Sequence, residues 1–177
     1  MRRDDVLATL HKPIAQQLLH DGTLARLAYT GLDGFPRVIP IGFLFDNDRI
    51  VVCTTPKAAK VAAVEANPAV ALTIDTDSTP PRVLLVRGTA TADTVDGVPD
   101  EFLRANRKTG TPEQHVAFER EVRALYDRMV RITIDPTWAK LLDFETTLPS
   151  AVEELIREKY PERLRTWITP DSSAGSA

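Results

Sequence analysis

Two threonines, a proline and two lysines stand together in residues 51–64, VVCTTPKAAKVAAV, and their types and spacing suit the capture of a phosphate. A β-branched run ends in Thr54 and Thr55, Pro56 follows, and an alanine-rich segment then carries Lys57 and Lys60. This order predicts a strand handing over to a helix across 57–66. Thr55 would cap the helix, and Pro56 would take its first position, where a missing N–H costs nothing. Free amides and the positive end of the helix dipole would then face the strand end. Lys57 and Lys60 would lie one turn apart on the same side. The glycines of a P-loop are missing, so the site would be of another kind. The plain alternative is a capped surface helix with solvated lysines.

The surrounding pattern indicates what must position these residues. Residues 12–20 predict a short helix with Pro13 in its first turn. Strands are predicted over 24–30, 36–45, 49–53, 69–75 and 82–95, with the turn residues Gly31 to Gly34 joining the first two as a hairpin. Pro40 interrupts the second run and marks a bulge or a sheet edge, since proline cannot donate to the ladder. Gly88 marks a bend in the long fifth run. Residues 98–128 are charged and helical, broken near Gly110 to Pro112, and read as an insertion. β pattern resumes over 129–135 and 137–144, and a helix is predicted over 149–160. The expected architecture is mainly β with peripheral helices. Antiparallel strands form a closed or partly closed barrel, in one domain over 1–168 with a disordered polar tail at 169–177.

A chain of 177 residues is long enough for one domain with a sizeable core. The net charge of −3, with basic residues spread among acidic ones, argues against a nucleic-acid surface. The lone Cys53 excludes an internal disulfide and fits a reducing cytoplasm. No apolar run approaches a membrane span, and the opening MRRDDVLATLH lacks the apolar stretch of a secretory signal. His11, His20 and His115 lack metal-ligand spacing, so no metal site is expected.

Four passages together resemble the pyridoxamine-phosphate-oxidase-like family of split-barrel flavin and deazaflavin oxidoreductases. The first is the hairpin Asp33-Gly34-Phe35-Pro36-Arg37-Val38-Ile39-Pro40. The second is a strand ending in Thr54, followed by Lys60 and Asn67-Pro68. The third is AVALTID, and the fourth is VLLVRGTATA followed by helices and VRITIDPTW. The resemblance covers roughly residues 10–145. It implies a homodimer with a cofactor, FMN or alternatively F420, in each of two clefts between subunits. Carried onto this chain, Arg37, Val38, Ile39, Pro40 and Ile41 would line the ring system. Thr54, Thr55 and Lys60 would hold the phosphate. Lys57 would substitute for an arginine or serine that many relatives carry where this chain has Ala58. Trp138 would belong to the core or reach across the interface onto the flavin.

The resemblance implies an FMN-dependent oxidoreductase that transfers hydride to or from a small organic substrate. An F420-dependent reductase and a non-catalytic flavin-binding module are the alternatives. No arginine–histidine pair matches the substrate site of true pyridoxamine phosphate oxidases, so vitamin B6 oxidation is not expected. No protein acid or base is assigned, because the cofactor carries the hydride in such sites.

Overall fold

The computed structural model describes residues 1–144 and 150–160. Helices α1 (Arg3–Leu10) and α2 (Pro13–Asp21) lead into β1 (Leu24–Thr30), β2 (Pro36–Gly42), β3 (Leu44–Asp46) and β4 (Arg49–Thr54). Helix α3 (Ala59–Ala66) precedes β5 (Ala69–Asp75) and β6 (Arg82–Asp96). Helices α4 (Asp100–Asn106) and α5 (Pro112–Leu125) follow, then β7 (Arg128–Asp143) and α6 (Ser150–Lys159). The expected tail at 169–177 and the expected domain end at 168 lie outside the described residues.

The seven strands pair antiparallel in the order β2-β1-β5-β6-β7-β4-β3. The two edges, β2 and β3, are consecutive in sequence, and Phe43 alone separates them. A flat sheet of seven strands would hold its edges about 29 Å apart, at roughly 4.8 Å per step. One residue spans only about 3.5 Å. The sheet therefore curls until its edges nearly meet, and β2 comes into contact with β4. This is a mainly β, split-barrel fold with helices at its periphery, as expected.

The expected single strand over 36–45 is thus two strands on opposite edges. Phe43 is fully buried at the corner between them. Pro40 lies in the edge strand β2, opposite Arg26 of β1, and no strand is hydrogen-bonded to the other side of β2, the kind of place where a sheet tolerates proline. At Gly88 the β6–β7 register shifts, and a Cβ there would stand 2.6 Å from the Asp135 carbonyl oxygen. Glycine permits that close approach of backbone. The 129–135 and 137–144 runs form one strand, β7, which pairs with both β6 and β4.

Alternation buries one face of each strand inside the barrel: Leu27, Ile50, Ile74, Leu84, Ile132 and Ile134 are among its fully buried residues. A second, smaller cluster of Val98, Leu103, Val122 and Met129 lies beneath α4 and α5. Those two helices form an arm, in which α4 packs on β4 and β3 and α5 packs on α4. Helix α1 was not expected; Val6 and Leu10, one turn apart, bury its inner stripe.

Candidate functional site

The strand-to-helix junction differs in detail from the sequence expectation. The Ala58 amide donates to the Thr55 carbonyl at 3.1 Å, which closes a turn with Pro56 and Lys57 at its centre. Proline's fixed φ suits the second position of such a turn as well as the first of a helix, and here the turn wins. The helix consequently begins at Ala59, with Ala58 as its N-cap and no side-chain cap. Thr55 is therefore not the cap, and Pro56 is not in the helix. Lys57 projects from the turn as an exposed residue instead of sharing a helical face with Lys60.

Lys60 keeps its expected place in the first turn of α3. Its ammonium donates to Thr54 Oγ1 at 3.1 Å. Burial pushes this amine below its ordinary value. Among the described residues no carboxylate lies within ion-pair distance of it. A half-buried cation held only by a neutral hydroxyl is suited to receive an anion.

Lys60 and Thr54 open into a cleft of about 670 Å³ that lies on the barrel seam, where β2 and β4 face each other. One wall is the edge strand β2, through Ile39, Pro40, Ile41 and Gly42. The floor is β4, through Val51 and Cys53. The opposite wall is the arm, which contributes Glu101, Phe102 and Asn106 of α4, with Thr109 and Phe118 beyond. Phe102 and Phe118 pack ring against ring, with centroids 5.7 Å apart.

The electrostatics of the cleft are simple. Among the described residues, Lys60 and Glu101 are the only charged ones that line it. Glu101 is already matched: Arg131 Nη2 donates to its Oε2 at 3.1 Å, and Arg131 Nε lies 2.9 Å from its Oε1. Arg131 stands opposite Cys53 in the β4–β7 ladder, so this pair also ties α4 to the barrel. The Cys53 thiol is pushed up to about 12, chiefly by burial and further by Glu101, so it stays protonated and is no nucleophile at neutral pH. The cleft thus carries one unmatched positive charge.

A family model described as pyridoxamine 5'-phosphate oxidase matches residues 12–137, a span that includes the edge strand, the Lys60 junction and the arm. The chain belongs to that family. Among solved structures, an F420 reductase is 29% identical with a TM-score of 0.54; the match covers 71% of this chain and 94% of that one. The heme storage protein HutZ from Vibrio cholerae is 18% identical with a TM-score of 0.53, covering 74% of this chain and 92% of its own. General Stress Protein 26 from Bacillus anthracis is 16% identical with a TM-score of 0.53, covering 73% and 92%. At such identities the latter two show a shared fold. No curated protein matches the chain.

Within this family fold, the residues expected at the site separate into two groups. Ile39, Pro40, Ile41, Thr54 and Lys60 meet in one cleft. Arg37, Val38, Thr55, Lys57 and Trp138 do not line it. Arg37 pairs with Asp33 at 2.7 Å across the hairpin. Val38 is 65% exposed on the outer edge. Trp138 is half-buried on β7 beneath the Arg87 guanidinium, 4.6 Å from its ring centroid. The arm's contribution was not assigned from sequence. Its available signal was the pair of phenylalanines, Phe102 and Phe118, within an otherwise charged helical stretch.

Proposed function

We propose that the cleft holds the phosphate-bearing end of a flavin-type cofactor, and that the protein is an oxidoreductase acting on a small organic substrate. The observation that carries this reading is the Lys60–Thr54 pair: an unmatched, half-buried cation at the mouth of an apolar cleft, beside the start of a helix. Its volume lies within the range of small-molecule and cofactor sites. Lys60 and Thr54 would hold the phosphate, and Ile39 to Ile41 would line the ring. When bound, such a cofactor supplies hydride transfer. The chain's own residues bind, orient and exclude water.

FMN is the first reading. F420 is the second, favoured by the 29% identity to an F420 reductase over most of that chain. Vitamin B6 oxidation is not proposed, because among the described residues neither histidine nor arginine lines the cleft. A homodimer with the cleft at its interface is part of the proposal. The motivation is the bare outer edge: Leu32 and Phe35 are each 71% exposed on the β1–β2 hairpin, next to the exposed Val38. Residues of the first group would then serve the site within one subunit, and Arg37, Val38 and Trp138 would stand where a partner could meet them.

Mass spectrometry of the small molecule released on denaturation tests the cofactor, with titration of FMN and F420 into the stripped protein as its complement. A flavin or deazaflavin that is released, or that binds in the micromolar range or tighter, supports the reading. Failure of both to bind overturns it. Light scattering at micromolar concentration tests the dimer, and a cofactor-loaded monomer would overturn that part.

A further inference from the structure

We propose that the arm wall of the cleft is a second binding subsite that takes an uncharged aromatic molecule, with Phe118 and Asn106 setting its specificity. The inference rests on the reading that a phosphate-bearing cofactor occupies Lys60, and it assigns the class of ligand that shares the cleft with that cofactor. Three observations carry it. First, among the described residues the lining contains a single unmatched charge, Lys60, and a cofactor phosphate uses it. Second, Glu101 on the arm is neutralised by Arg131, and the Cys53 thiol facing it is protonated, so no charge remains on this side to receive an ionic group. Third, what the arm does offer is the tilted Phe102–Phe118 ring pair and, on the same side, the Asn106 amide and Thr109 hydroxyl. Aromatic faces bind planar apolar rings, and neutral amides and hydroxyls pair with neutral polar substituents. An anion placed here would lose its hydration with no cation to replace it.

The experiment compares two redox-inert ligands that share one ring system, 2-naphthol and naphthalene-2-sulfonate, by calorimetric titration of the full chain with and without FMN or F420 loaded. In the cofactor-free protein the sulfonate can reach Lys60 and should bind at least as well as the naphthol. Loading the cofactor should reverse the order, with 2-naphthol favoured by about tenfold, the scale of one charge-assisted hydrogen bond withdrawn from the sulfonate. Asn106→Leu keeps the side-chain volume and removes the amide from the arm wall. It should weaken 2-naphthol by roughly threefold to tenfold and the cofactor by less. Phe118→Leu keeps most of the packing volume and should weaken 2-naphthol roughly threefold to fivefold through loss of the ring face. If the cofactor loads but the sulfonate still binds as well as the naphthol, the arm is not a neutral subsite and the inference falls, while the function reading stands. If no cofactor loads, the function reading falls. The subsite is then judged on the cofactor-free protein: weakening of 2-naphthol by Asn106→Leu sustains it, and an unchanged affinity overturns it.

Discussion

The barrel and the arm hold themselves together in different ways. Inside the barrel, long strands interleave Leu27, Ile50, Ile74, Leu84, Ile132 and Ile134, each fully buried, and every one of these strands is paired on both sides. The arm has two buried apolar residues of its own, Leu103 and Val122, which cluster with Val98 and with Met129 of β7. Polar ties do the rest. Glu101 pairs with Arg131, Arg104 with Asp46 at 3.0 Å, and Lys108 donates to the carbonyls of Leu19 in α2 at 3.0 Å and of Gly22 at its C-cap at 2.8 Å. Exposed ion pairs contribute little individually, whereas buried apolar contact contributes much. The cleft lies between these two regions, so its β2 and β4 walls are set by the barrel and its third wall by a more weakly held element. Such elements open locally before the whole molecule unfolds.

The largest effect is expected from a cavity in the barrel. Ile134→Ala should lower global stability by about 2–5 kcal/mol, because the site is fully buried in a cross-paired strand. Leu103→Ala, also nearly fully buried but in the arm, should speed hydrogen exchange of α4 and α5 amides while moving the global denaturation midpoint less. Equal midpoint shifts for the two variants, with arm amides exchanging only on global unfolding, would show that barrel and arm are one cooperative unit.

Next in size is the anchor on the barrel side of the cleft. Lys60→Ala removes a charge-assisted hydrogen-bond donor worth about 1.5–3 kcal/mol, so FMN or F420 should weaken roughly tenfold to a hundredfold. The fold should survive, since Lys60 donates only to Thr54. Riboflavin, which lacks the phosphate, is the control and should change little. Equal weakening of FMN and riboflavin would make Lys60 a structural residue of the junction. Lys57→Ala should do less, because Lys57 projects from the turn outside the cleft lining.

The same contrast explains how far the sequence could be read. Strands β1 and β5 fall where their alternating runs predict, Leu24–Thr30 and Ala69–Asp75, because each run is bounded by turn residues and buries one face. Thr54 and Lys60 could be paired because both lie beside one chain turn, six residues apart. The break at Phe43 could not be seen. PRVIPIGFLF is one continuous β-forming run, and only the closure of the sheet puts its two parts on opposite edges. The Thr55 cap failed for a local reason, since Pro56 satisfies a β-turn as readily as a helix start. The arm's share of the cleft was illegible because it depends on Glu101 meeting Arg131, thirty residues away, and no periodicity encodes that encounter.

The smallest effect is expected at Lys108, where the arm joins α2. The two carbonyl bonds favour its charged form, as does its position 3.8 Å above the Phe43 ring centroid, while burial disfavours it and brings its pKa down to about 8. Lys108→Met keeps the apolar stem and removes these bonds, so at pH 7 it should cost no more than about 1 kcal/mol. The informative measurement is the pH dependence. The pKa in the folded chain lies below the ordinary 10.5, so between about pH 8 and 10.5 the folded chain has released a proton that the unfolded chain still holds. Stability rises with pH wherever the unfolded state binds more protons. The wild type should therefore gain stability relative to Lys108→Met as the pH rises through that window, by less than the full linkage value because the ammonium is partly screened by solvent. Denaturant titrations of both proteins at pH 7, 8.5 and 10 would show this. A constant difference would mean that the carbonyls and the ring offset the burial of this charge, and a difference that turns against the wild type at high pH would mean that they outweigh it. In either case the arm would be held more firmly than the contrast with the barrel implies.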